Sequence, residues 1–291
     1  MKKSVGLLTI GVFLLAALGT VAAQTMDTTP PPKVLVIFRE FEKPGKTGST
    51  HEKSESAFVQ ALTRAKWPTH YLAVDSLTGK TRSLFLTGYD SFEAWEKDYM
   101  AMQKNPALAA AFDRAAAADG ELLSETDGAV LTYREDQSLR ANVDIAHMRY
   151  FEIALFQVKP GHRHEWDELV KLVTAAYEKI PEAHWATYEI DYGQQPSGTY
   201  AVFTALKSTS EIDQEFTHDK DFVAAMGEDG MKKLAELEAS AIETSQTNLF
   251  SFNPKMSYPS EDWVKADPDF WKPKAAAPMA PKKPAEKPAA Q

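Results

Sequence analysis

The sequence predicts an α+β fold in which two βαββαβ repeats close into one barrel. Three observations predict it: an internal repeat with matched turns, the same strand–helix order in both copies, and strands that are apolar on both faces. The repeat is anchored by two Lys-Pro-Gly turns, Lys43-Pro44-Gly45 and Lys159-Pro160-Gly161, which lie 116 positions apart. His51-Glu52 matches His164-Glu165, Pro68 matches Pro181, His70 matches His184 and Gly79 matches Gly193, at spacings of 113 or 114. The closing strands around Tyr133 and Phe252 are 119 apart. An ordered series whose spacing drifts only where loops absorb insertions indicates duplication.

The second copy justifies each element in turn. Tyr150–Val158 is a strand ended by the Pro160-Gly161 turn. His164 to Glu178 is a helix, with Trp166, Leu169, Val170, Val173 and Tyr177 at helical spacing, broken by Pro181. His184–Asp191 is a strand rich in aromatic and β-branched residues. Residues Tyr192 to Gly198 form a hairpin connection, and Thr199–Leu206 is the partner strand. A helical region capped by Ser208 or Thr209 runs with a break to Glu243, and Thr247–Phe252 closes the unit. The order is that of a ferredoxin-like split βαβ unit. On one face of the first strand stand Phe151, Ile153 and Leu155; on the other stand Glu152, Ala154, Phe156 and Val158. A sheet with one wet face alternates cleanly, so both faces here are covered. Helices cover one, and the sister sheet is the simplest cover for the other.

The repeats span 33–136 and 148–257, joined by a linker at 137–147. Ahead of them, Lys2, Lys3, an apolar run from Val5 to about Gly19 and the small residues Val21 to Ala23 read as a signal peptide over 1–23. The run is shorter than the roughly 20 residues a bilayer span needs, and no later segment is apolar enough. The expectation is a periplasmic or secreted protein. Residues 24–32 read as a flexible leader, and 258–291 as a disordered tail whose last part, from Lys272, is nearly all Ala, Pro and Lys. The chain contains no cysteine, which excludes disulfides, thiolate metal sites and a cysteine nucleophile. A formal net charge of −9, near −11 without Lys2 and Lys3, repels phosphate backbones and argues against nucleic acid as partner. Since the sister copy supplies the covering sheet, a monomer suffices.

The stretch Tyr150-Phe-Glu-Ile-Ala-Leu-Phe-Gln-Val-Lys-Pro-Gly-His-Arg-His-Glu-Trp166 resembles the opening of NIPSNAP-type units of the dimeric α+β barrel superfamily. Val34 to about Pro254 is similar to a fused pair of such units. The first copy departs from the pattern by the extra Lys46-Thr-Gly-Ser-Thr50 before His51. The resemblance implies an intramolecular dimeric α+β barrel. It also implies a range of functions: cofactor-free monooxygenases, haem-binding enzymes and small isomerases. Fold does not choose among them, and no complete catalytic set maps onto this chain.

Candidate site residues follow from residue chemistry. His184 and Tyr188 share one strand face, and a histidine there could serve as general base or substrate anchor inside the barrel. Glu152, mid-strand among apolar neighbours, is either a proton acceptor or one half of an ion pair with Arg149 or Arg39. These three form a candidate catalytic set for an oxygenase- or isomerase-like enzyme. His70, Trp185 and Phe203 are candidate walls of a site for a flat apolar ligand. His162 and His164, beside Glu165, are candidate ligands for a divalent metal or haem iron, although a solvated helix start is the simpler account of them. The reading preferred is an exported barrel that binds a small apolar or aromatic molecule with no cofactor; enzyme and haem or metal binder are the alternatives.

Overall fold

The computed structural model describes residues 28–272. The signal-peptide residues and the Ala/Pro/Lys stretch beyond Lys272 lie outside the described residues. Eight strands close into a single antiparallel barrel in the order β1-β3-β2-β8-β5-β7-β6-β4. The first repeat supplies β1 (Val34–Glu42), β2 (Tyr71–Ser76), β3 (Ser83–Tyr89) and β4 (Leu123–Tyr133), and the second supplies β5 (Tyr150–Val158), β6 (Ala186–Tyr192), β7 (Thr199–Leu206) and β8 (Ile242–Phe252). Each repeat has the internal order 4-1-3-2 of a ferredoxin-like sheet, and the repeats join edge to edge. Val74 pairs with Phe252 at one seam, and Leu131 pairs with Ile190 at the other. The predicted architecture, two ferredoxin-like repeats making an intramolecular barrel, is the one observed.

The two-faced apolar pattern is explained by this closure. Leu35, Ile37, Leu131, Phe151, Ile153 and Phe203 point inward and pack together across the two sheets. Outside, α1 (Ser49–Ala65), α2 (Phe92–Gln103) and α3 (Pro106–Asp119) belong to the first repeat, and α4 (Arg163–Tyr177) and α5 (Ser210–Ala241) to the second. Trp166 and Leu169 of α4 meet Val158, Tyr200 and the α5 residues Leu234 and Leu237. The predicted break in α5 falls at Gly227, with φ 69°. Both Lys-Pro-Gly turns place their glycine in the left-handed region, Gly45 at φ 77° and Gly161 at φ 86°, which accounts for the repeated motif. Asn105 caps α3, accepting from the Leu108 amide at 3.1 Å, with Pro106 in the first turn.

Two boundaries differ from expectation. Residues 258–272 do not begin a tail: they form α6 (Glu261–Ala266) and α7 (Pro268–Trp271). Trp271 is buried against Phe252, Trp263 and Phe270. Three aromatics in nine residues carry enough apolar surface to dock on the barrel, which the composition of the chain beyond Lys272 obscures. The leader is likewise tied down at its end. The Thr29 amide donates to the Val143 carbonyl at 3.2 Å, so leader and linker pair across one mouth of the barrel. Among the described residues no helix is long and apolar enough to cross a membrane.

Candidate functional site

The barrel is not packed solid. At the end where β1, β2, β5 and β6 begin, a cavity of about 660 Å³ opens between the leader, the linker and the strand ends. Its wall is mainly apolar: Leu35, Leu72, Leu86, Phe151, Phe203 and Trp263 contribute. Its polar side chains include Lys33, His70, Asp90, His184 and Tyr188. Strand alternation explains the convergence, because Leu35, Phe151, Tyr188 and Phe203 are all inward positions.

The structure brings five of the six residues proposed for catalysis or ligand binding to this cavity: His70, His184, Trp185, Tyr188 and Phe203. Tyr188 is buried, makes edge contacts with Phe203 at 5.6 Å, and donates its hydroxyl to the Pro32 carbonyl at 3.1 Å. Burial, and then the neighbouring Tyr133, raise its phenol well above the usual range, so it acts as a neutral group. His184 lies between two carbonyls, with Nδ1 2.8 Å from Glu182 O and Nε2 2.8 Å from Ala205 O. Neither nitrogen is left with a lone pair directed at the cavity, which suits an anchoring wall and not a general base or an axial haem ligand. His70 stacks on Tyr258 at 4.7 Å, and its Nδ1 is buried without a hydrogen-bond partner. Trp185 donates to the Gln137 carbonyl at 2.9 Å.

Glu152 does not join them. It lies on the helix-facing side of β5, half-buried, and burial raises its carboxyl above the usual range. Neither expected partner meets it. Arg149 pairs with Asp267 and covers the Phe270 ring at 3.9 Å, while Arg39 pairs with Asp127. His162 and His164 stand at the start of α4, pairing with Glu165 at 3.4 Å and Glu168 at 3.3 Å. They form no multidentate group. Among the described residues, the group of three or more ligand side chains lies elsewhere, at Glu40, His51, Glu55 and Asp119. Sequence reasoning missed it. The available signal was His51 and Glu55 four apart on one helix face, opposite Glu40 on the outward face of β1.

No family model matches the chain, and no curated protein matches it in sequence. Solved structures do match. A monooxygenase candidate from Fusobacterium nucleatum subsp. nucleatum has 13% identity and a TM-score of 0.48, over 76% of this chain and 93% of its own. An anthrone oxidase-like protein has 12% identity and a TM-score of 0.45, over 76% and 92%. The chlorite dismutase of Candidatus Nitrospira defluvii in complex with imidazole has 9% identity and a TM-score of 0.43, over 81% and 95%.

Proposed function

We propose that this protein binds one small, flat, largely apolar molecule in the mouth of its barrel. The observation that carries the reading is the cavity itself. Its volume of about 660 Å³ falls within the roughly 300–1,000 Å³ typical of small-molecule sites, and an apolar wall with a few polar groups is the usual composition of such sites. His184, held by two carbonyls, presents an edge of fixed orientation, and Tyr188 and Phe203 supply aromatic faces. An enzymatic reading built on His184, Glu152 and Tyr188 is not favoured, because Glu152 is on the other side of the sheet and the nitrogens of His184 are engaged. A NIPSNAP-type origin rests on the motif around Lys159-Pro160-Gly161, and export on residues 1–23; detection of a processed chain beginning near Gln24 tests the latter.

Trp185 and Trp263 stand on the cavity wall, so their fluorescence reports occupancy. Titration with 2-methyl-1,4-naphthoquinone is expected to give saturable quenching with one site per chain. Ala205→Phe projects a ring into the cavity from an inward position of β7 and is expected to abolish it. Quenching that never saturates, or that is equal in Ala205→Phe, rules the reading out.

A further inference from the structure

Between the sheet of the first repeat and its helices lies a buried group of charge with no counterpart among the described residues of the second repeat. Glu40 comes from β1, His51 and Glu55 from successive turns of α1, and Asp119 from the end of α3. All four are buried, none more than 5% exposed. One ligand atom from each lies within 4.8 Å of every other. His51 Nε2 is 2.8 Å from Glu40 Oε2 and 3.7 Å from Asp119 Oδ1, while its Nδ1 faces Glu42 Oε1 at 3.4 Å.

The group is not electrostatically closed. With Glu42, four carboxylates surround a single imidazole, and among the described residues no lysine or arginine pairs with Glu40, Glu55 or Asp119. Glu55 Oε1 and both Asp119 carboxylate oxygens are buried without a hydrogen-bond partner. Burying uncompensated carboxylates costs several kcal/mol per ion, so something of positive charge must balance them, either protons or a cation. Burial, then Glu40 and Asp119, push the Glu55 carboxyl up to about 10 in the absence of a cation. For His51, burial lowers the affinity for a proton, but the hydrogen bond to Glu40 and the surrounding carboxylates outweigh it and raise it.

The second repeat shows that the fold does not require charge here. The strands equate Glu40 with Phe156, because each precedes by one residue the position before a bulge, at Phe41 and Gln157. Their cross-strand partners are Ser83 and Tyr200. In the second repeat Phe156, Trp166 and Tyr200 fill this space as an aromatic stack, with ring separations of 5.4 and 4.9 Å. Packing alone would favour the apolar solution. The polar one, with atoms left unpartnered, is the arrangement of a ligand set.

We infer that Glu40, His51, Glu55 and Asp119 bind a divalent first-row transition cation, in a closed site that fastens α1 and α3 to β1. One imidazole with three carboxylates suits ions from manganese to zinc, and a buried set of protein ligands is the mark of a structural rather than an open catalytic site. The site lies outside the barrel, so it stands independently of the cavity.

The test uses the full chain, stripped with chelator and titrated separately with Mn²⁺ and Zn²⁺. One ion per chain and a raised melting temperature on loading are expected. Glu55→Gln combined with Asp119→Asn keeps shape and removes two carboxyl groups able to ligate as anions. Its metal-free form is expected to melt no lower than the metal-free parent, and its affinity to fall by at least about 100-fold. Failure of the parent to take up either ion, or equal affinity in the double variant, overturns the assignment; the first result means that protons balance the cluster.

Discussion

Trp271→Ala measures whether α6 and α7 are part of the folded barrel. The indole is 3% exposed, touches Phe252, Trp263 and Phe270, and donates Nε1–H to the Ala146 carbonyl at 2.9 Å. A buried tryptophan removes roughly 150–250 Å² from water, about 4–6 kcal/mol at 25 cal/mol/Å², and this is an upper figure because the unfolded chain is partly collapsed. Truncation in a core typically costs about 3–5 kcal/mol, and the orphaned carbonyl of Ala146 adds to that. For a chain of this size each kcal/mol moves the melting temperature by roughly 2–4 °C. A fall of about 6–20 °C is therefore expected in a thermal melt followed by circular dichroism, with Trp271→Phe falling between the two. A loss below about 1 kcal/mol in chemical denaturation would show that the terminal helices rest on the barrel without contributing to its stability.

Three further outcomes follow from particular contacts. Gly79→Ala, at φ +74° where an added Cβ would collide with Asn248 Oδ1, strains the β2–β3 turn where it meets β8; a loss of about 1–3 kcal/mol is expected in urea, and an unchanged midpoint would mean that this seam yields freely. Glu152 has a raised carboxyl, so between its unfolded and folded pKa the folded chain holds the extra proton and stability falls as pH rises; Glu152→Gln is expected to flatten that slope above about pH 4.5, and an identical pH profile would refute it. Asp267→Asn weakens the pair with Arg149 and is expected to lower the melting temperature less than Trp271→Ala, because both side chains are partly exposed; a larger loss would contradict this ranking.

The fold was legible because its signals are local and repeated. Tyr150–Val158 and Thr199–Leu206 are bounded as strands by turn residues, and the Lys-Pro-Gly turns need their glycines in the left-handed region. The two-faced greasiness of β5 implied a covering sheet, and β8–β2 and β6–β4 pairing supplies it. The cavity wall was partly legible for the same reason, since alternation put Tyr188 and Phe203 inward. Glu152 was expected to need a partner because its strand neighbours are apolar; it stands half-buried on the helix-facing side of β5, away from both expected arginines. Residues 258–272 escaped because docking of Trp263, Phe270 and Trp271 depends on a surface the barrel creates only after folding.

The buried charge cluster was the least legible feature, and the reason bears on how the two repeats diverged. Glu40 and Glu42 close a strand, where carboxylates ordinarily meet solvent, and His51 beside Glu52 served only as a repeat marker. The spacing of the Lys-Pro-Gly turns sets Glu40 at the position of Phe156, but only the folded packing shows that this position lies beneath a helix. The extra Lys46–Thr50 segment runs from the loop after β1 into the first turn of α1, just ahead of His51. The insertion and the charges therefore coincide in one corner of the first repeat, while the second keeps its aromatic stack. Replacing the whole cluster by apolar side chains, Glu40→Phe with His51→Trp, Glu55→Leu, Ser83→Tyr and Asp119→Leu, tests whether the corner serves the fold or a ligand. If it serves a ligand, the apolar version folds, gains stability in the metal-free state and takes up no cation. If it serves the fold, the same chain loses stability whether or not metal is supplied.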